Sequence, residues 1–167
     1  MTDQSYIDQV PEIAPILRDA DHIDVKVATS TKSMREFAAE LLNYQPDWIT
    51  FLYLIRAVLV RFLGMRQKGM PRRPHYLPED VPLMAGQRAA IFTVSEAQDE
   101  RYWVGSVRDD HLNASLSIVV EPLQDNLKRF YVITSVHYNN WKGPFYFNVI
   151  RPFHHLVVGS MVRAAAK

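Results

Sequence analysis

Two histidines, His111 and His137, head the residues of this 167-residue chain that could do chemistry. Each lies at an end of the segments 110–120 and 130–138, where apolar and polar residues alternate with the two-residue period of a strand. Neutral imidazoles titrate near physiological pH, so such a pair can hold a polar group or act as general acid and base. If residues 121–128 form the loop of a hairpin, face matching sets Leu112, Ala114, Leu116 and Ile118 against Val136, Thr134, Val132 and Phe130. The other face then carries His111 against His137, with Cβ atoms roughly 4.5–5.5 Å apart, and Asn113 against Ser135. The plainer alternative is a solvated sheet face on which the histidines do nothing. The two hairpin faces cannot both look into the core, and the sequence leaves open which one does.

Three further positions join the candidate ligand-binding set of Arg56, His111, Asn113, Ser135, His137, Tyr146 and His154. Arg56 stands in the most apolar stretch, 48–63, where a cation pairs with a structural carboxylate, reaches to the surface, or points at an acidic ligand. His154 shares a helical face with Tyr146 and Ile150, whereas His155 is turned about 100° away, so the adjacent pair is poorly placed to ligate one metal. Asp109 or Asp110 could add a ligand beside His111, but no metal-binding spacing accompanies them, and neither metal nor cofactor is expected.

Composition narrows the classes. Zero cysteines remove thiolate nucleophiles, disulfides and cysteine metal sites. No phosphate-binding glycine loop, dinucleotide fingerprint, His-Glu-x-x-His or Gly-x-Ser-x-Gly occurs, and there are six glycines in all. A formal net charge of +1 gives no bulk attraction to nucleic acid, which is not an expected partner. Arg61, Arg66, Lys68, Arg72 and Arg73 meet no acidic residue before Glu79, which reads as a solvated loop or as an anion or phospholipid-headgroup contact. Stretch 48–63 is interrupted by Arg56 and Arg61 and falls short of the ~20 residues of a span, so a buried helix is expected and stable membrane insertion is not. The acidic, polar start lacks the features of a signal peptide, and a cytoplasmic location is the expectation.

The elements that must position these residues read in order. A polar lead, 1–20, precedes one domain, 21–167. Residues 22–28 alternate as a half-buried strand. Thr31 or Ser33 caps a helix over 34–43, and Asp47 caps the apolar helix 48–63, which Gly64 ends. The irregular stretch 65–88 carries Pro71, Pro74, Pro78 and Pro82. Strands follow at 89–95, 101–107, 110–120 and 130–138, joined too closely for parallel crossovers. Residues 141–167 read as a long helix with Gly143 and Pro144 at N-cap and N1, kinked or broken near Val149 by Pro152. Helices segregated on one face of an antiparallel sheet make an α+β domain.

That order resembles the helix-grip layout of the START-like and Bet v 1-like (SRPBCC) superfamily, and more closely an uncharacterised bacterial family within it. The matching pieces are Asp21–Asp24; Trp48 with Leu54, Arg56 and 62–64; Asp110–His111–Leu112; and Pro152–Phe153–His154. The resemblance covers residues 20 to 165 or so. It implies a curved antiparallel sheet around the C-terminal helix with a small-molecule pocket between them, and no catalytic residues to transfer. The expected function is therefore a binding protein for a small hydrophobic or amphipathic molecule. An enzyme of cyclase, isomerase or hydrolase type using His111 or His137 is the first alternative, and an interaction module without a pocket the second.

Overall fold

The alternation that marks the strands also sets the layers. The computed structural model describes residues 4–64 and 73–167, so Arg66, Lys68 and Arg72 of the basic run lie outside the described residues. Two short helices, α1 (Gln4–Ile7) and α2 (Ala14–Leu17), lead into β1 (His22–Ser30), α3 (Met34–Asn43) and α4 (Asp47–Phe62). A 3₁₀ turn at Pro78–Asp80 precedes β2 (Arg88–Ala89), β3 (Phe92–Gln98), β4 (Tyr102–Arg108), β5 (Leu112–Pro122), β6 (Lys128–Tyr138) and α5 (Lys142–Ala165). The strands form one antiparallel sheet in the order β1-β6-β5-β4-β3-β2, so the first strand closes beside the last. The architecture is α+β, as the segregated helices and strands imply.

The hairpin register differs from the expected one by two residues. Asn113 pairs with His137, Ala114 with Val136, Leu116 with Thr134 and Ile118 with Val132, while Leu112 faces Tyr138; His111 does not face His137. A two-residue slip preserves the match of apolar to apolar and polar to polar, so alternation cannot tell the two registers apart; the turn decides. The loop is five residues, 123–127, closed by a Leu123 N–H to Leu127 carbonyl bond of 2.8 Å, with Asp125 and Asn126 at positive φ. Such left-handed positions suit Asp and Asn, and they tighten the turn beyond the eight-residue loop inferred from the pattern.

The sheet buries both faces. On one, Leu116, Ile118, Val120, Phe130 and Val132 pack with Phe37, Leu41, Val158 and Val162 of α3 and α5. Phe37 stacks on Phe130 with ring centroids 4.1 Å apart, and both are fully enclosed. Side chains of the protein thus fill the middle of the space where the helix-grip layout implies a cavity. On the other face, Ile7, Val10 and Ile13 cover Val104, Val119, Tyr131 and Ile133, so the N-terminal lead is part of the packed structure. Two-sided burial is why Ile118–Val120 and Phe130–Ile133 read as unbroken apolar runs rather than alternations.

The helices differ from expectation in three places. Ser33 does cap α3, in a reciprocal capping box with Glu36. Pro46 rather than Asp47 occupies the N-cap of α4, and no side chain bonds its amides. α5 starts at Lys142, one residue ahead of Gly143, and runs unbroken through Pro152. Most consequentially, α4 is not buried on most sides. Ile49, Tyr53, Arg56 and Val60 recur at helical spacing on the inward stripe. Phe51, Ile55, Val58 and Phe62 occupy the opposite stripe, and Phe62 is 86% exposed.

Candidate functional site

His111 lies in the turn between β4 and β5, where its position is over-determined by the start of α5. The Asn139 amide donates to the His111 carbonyl at 2.9 Å, and the Asn139 and Asn140 side-chain amides donate to the carbonyls of Asp109 and Asp110, each at 2.8 Å. Gly143 passes so close that a Cβ there would stand 2.5 Å from the His111 carbonyl oxygen. A side chain at that point would push the first turn of α5 off the β4–β5 turn, which explains the glycine.

Held this way, the buried His111 ring meets the ring of Tyr146 edge to face, with centroids 4.8 Å apart. Tyr146 comes from the second turn of α5, and its hydroxyl accepts a 2.5 Å hydrogen bond from Arg56 Nε. The Arg56 guanidinium carbon also lies 5.8 Å from the Tyr146 ring centroid, within cation–π range. Three of the candidate residues, Arg56, His111 and Tyr146, therefore converge where α4, α5 and the β4–β5 turn meet. Val60, Leu112, Val136 and Phe147 form an apolar floor beneath them.

The electrostatics of this cluster favour an acceptor-rich guest. Arg56 makes no ion pair with a carboxylate among the described residues; its bond is to a neutral phenol. Burial holds the His111 imidazole below its usual value; Asp109 and Asp110 oppose that shift and Arg56 adds to it. The ring is therefore neutral at pH 7, yet its Nε2 is enclosed with no hydrogen-bond partner among the described residues. Burial also raises the Tyr146 phenol, against the pull of Arg56, so it remains protonated. Tyr53, one turn before Arg56 on the same stripe, is raised in the same way. Sequence reasoning missed Tyr53, although its spacing from Arg56 was the available signal.

The other candidates stand apart. Asn113, Ser135 and His137 occupy the opposite sheet face, where a His137 ring nitrogen lies 3.1 Å from the Arg18 carbonyl oxygen. The faced pair of histidines expected from the hairpin is thus replaced by one histidine on each side of the sheet. His154 turns inward on α5 beside Phe147, with ring centroids 6.0 Å apart, in a second group with His22 and His155. His155 Nδ1 lies 3.2 Å from Asp24 Oδ2, and Lys26 Nζ 2.9 Å from Asp24 Oδ1. Burial, followed by the charge of His155, brings the His154 imidazole down to about 4. The strand alternation over 22–28 gives no sign of this group, which forms only when α5 packs on β1. Among the described residues no group of histidine and acidic side chains is arranged to hold a metal ion.

A shallow depression of about 370 Å³ lies at the far end of α5, lined by Tyr44, Ser160, Arg163, Ala164 and Lys167. It contains none of the candidate residues. Among the described residues no helix is long and apolar enough to cross a membrane. No curated protein matches the chain. A family described as "Protein of unknown function (DUF2867)" matches residues 15–161, and the chain belongs to it.

Proposed function

Membership of a family without an assigned activity leaves function to the site, and we propose that this protein binds a small amphipathic molecule with an acidic end at the Arg56–His111–Tyr146 cluster. The scaffold for this reading is a helix grip of the START-like kind, with the ligand at the α4–α5 seam rather than under the middle of the sheet, which Phe37 and Phe130 fill. The observation that carries it is a half-buried arginine without a carboxylate partner among the described residues, set beside an enclosed imidazole nitrogen that likewise has no partner among them. A buried polar atom left unsatisfied costs about 1–3 kcal/mol, and a guest oxygen would remove that cost. Arg56 supplies the cation, His111 Nε2 the directional bond, and Leu59, Leu63 and Ile150 an apolar lining for the tail.

Titration with the anionic fluorophore 8-anilinonaphthalene-1-sulfonate tests this, alongside native mass spectrometry of freshly purified protein. The expected result is saturable binding that Arg56→Gln and His111→Ala each weaken at least about tenfold, as truncating one partner of a desolvated charged contact does. Equal affinity in wild type and both variants refutes the site.

A second reading rests on the neutrality of His111. An imidazole neutral at pH 7 can take a proton, so the same cluster could serve an isomerase or hydrolase with His111 as general base. Under that reading His111→Asn retains the bound molecule and abolishes its turnover.

A further inference from the structure

The outward stripes of α4 and α5 share a property that the ligand reading does not use. On α4, Phe51, Ile55, Val58 and Phe62 are 61%, 46%, 70% and 86% exposed. On α5, Phe145, Val149, Phe153 and Leu156 are 54%, 44%, 46% and 53% exposed. Single exposed apolar residues need no explanation, but two helical stripes of them do. They flank one seam: Arg56 on α4 reaches Tyr146 on α5, and Lys142 Nζ reaches the Leu63 carbonyl at 3.4 Å. At about 100° per residue, Val149 and Phe153 fall within roughly 60° of Tyr146, on the sector adjoining α4.

Charge is segregated onto the same two helices. No Asp or Glu occurs from Trp48 to Pro78, and none from Asn126 to Lys167. In a chain with a net charge of only +1, all 18 acidic residues therefore lie outside these spans, and the single one on either helix is Asp47, the first residue of α4. Cations border the stripes. Exposed Arg61 lies one turn from Val58 on the flank of α4, and half-buried Lys142 and exposed Arg163 lie on the same sector of α5 as its stripe, at the two ends of the helix. Trp48 and Trp141, 37% and 74% exposed, stand at the helix starts. Apolar and aromatic side chains on two helices that carry basic residues and a single acidic one match the chemistry of an anionic lipid surface, where aromatics seat at the headgroup level and each basic residue adds attraction.

We infer that the α4–α5 face is a peripheral docking surface for an anionic lipid bilayer, with the phenylalanines entering the acyl boundary and Arg61, Lys142 and Arg163 meeting lipid phosphates. The face is opposite the inward stripe of Tyr53 and Arg56, so it stands whether or not the ligand cluster does.

Flotation with phosphatidylcholine vesicles, with and without one third phosphatidylserine, tests it. The wild-type chain floats with the phosphatidylserine vesicles and much less with the neutral ones. Phe51→Ser with Phe62→Ser abolishes flotation, while Arg61→Gln and Arg163→Gln weaken it about fivefold per charge removed. Thermal melts by circular dichroism separate these losses from unfolding, and the two glutamine variants, at exposed positions, keep the test open if the serine variant melts early. Absence of flotation on phosphatidylserine vesicles overturns the inference, as does equal flotation by all variants. A stable dimer in light scattering that Phe51→Ser with Phe62→Ser dissociates, without flotation, assigns the face to a second copy of the chain and overturns it too.

Discussion

Lowering the pH should destabilise this protein through His154 before its carboxylates titrate. The half-buried imidazole lies on the inward face of α5 beside Phe147, its enclosed Nε2 has no partner among the described residues, and burial brings it from an ordinary 6.5 to about 4. The charges facing it come from both packed elements: His155 on α5, and His22, Asp24 and Lys26 on β1. Only Asp24 favours its protonation. In the unfolded chain the group takes up a proton near 6.5, and in the folded chain only near 4, so the unfolded state binds more protons in between. The stabilisation from keeping His154 neutral is complete above pH 6.5 and is lost as pH falls toward 4. Integrating over that window gives a loss of about 2 kcal/mol by pH 5 and about 3 kcal/mol by pH 4. Urea denaturation of wild type and His154→Leu at pH 7 and pH 5 measures it, because His154→Leu removes the titration while keeping the apolar contact with Phe147. The wild type should lose about 2 kcal/mol more than the variant between the two pH values. His22, also lowered by burial, contributes to both proteins and cancels. Parallel losses in the two chains would refute the assignment.

Two further outcomes follow from the packing. Gly143→Ala places a methyl group 2.5 Å from the His111 carbonyl, which the paired Asn139 and Asn140 hold in place, and should cost about 1–3 kcal/mol in urea denaturation while disturbing the Tyr146 contact. Phe37→Ala removes a fully buried ring stacked on Phe130 and should cost about 3–5 kcal/mol, whereas Phe62→Ala, at an 86% exposed position, should stay within about 0.5 kcal/mol of wild type.

What could be read in advance divides along a physical line. Ser33, one of the two hydroxyls expected there, caps α3, and Gly64, at φ 62°, ends α4 as expected, because caps and left-handed turns are decided within a few residues. The hairpin strands were legible for the same reason, but their register was not: a two-residue slip keeps every face matched, and Asp125 and Asn126 in the turn settle it. Arg56, His111 and Tyr146 were all singled out, yet nothing local brings α4, α5 and the β4–β5 turn together, so the sequence paired His111 with His137 instead. The exposure of α4 was missed because apolar residues all round a helix report how much surface it offers, not how much its neighbours cover. Pro152 left α5 unbroken on a face that is open to solvent.

The pairing of β1 with β6 has a consequence for the order in which the chain can assemble. His22 pairs with Val136 and the Asp21 amide bonds the Val136 carbonyl, so the N-terminal strand has no partner until the last strand exists. Ile7, Val10 and Ile13 wait as well, since the surface they cover includes Tyr131 and Ile133. At synthesis rates of about 5–20 residues per second, that delay is on the order of ten seconds. During this interval Val25 and the inward stripe of α4 lack the surfaces they pack on, which include Tyr131, Ile133 and Val136. A chain so arranged completes its sheet only when nearly all of it is available, and every truncation ahead of β6 leaves an unpaired edge.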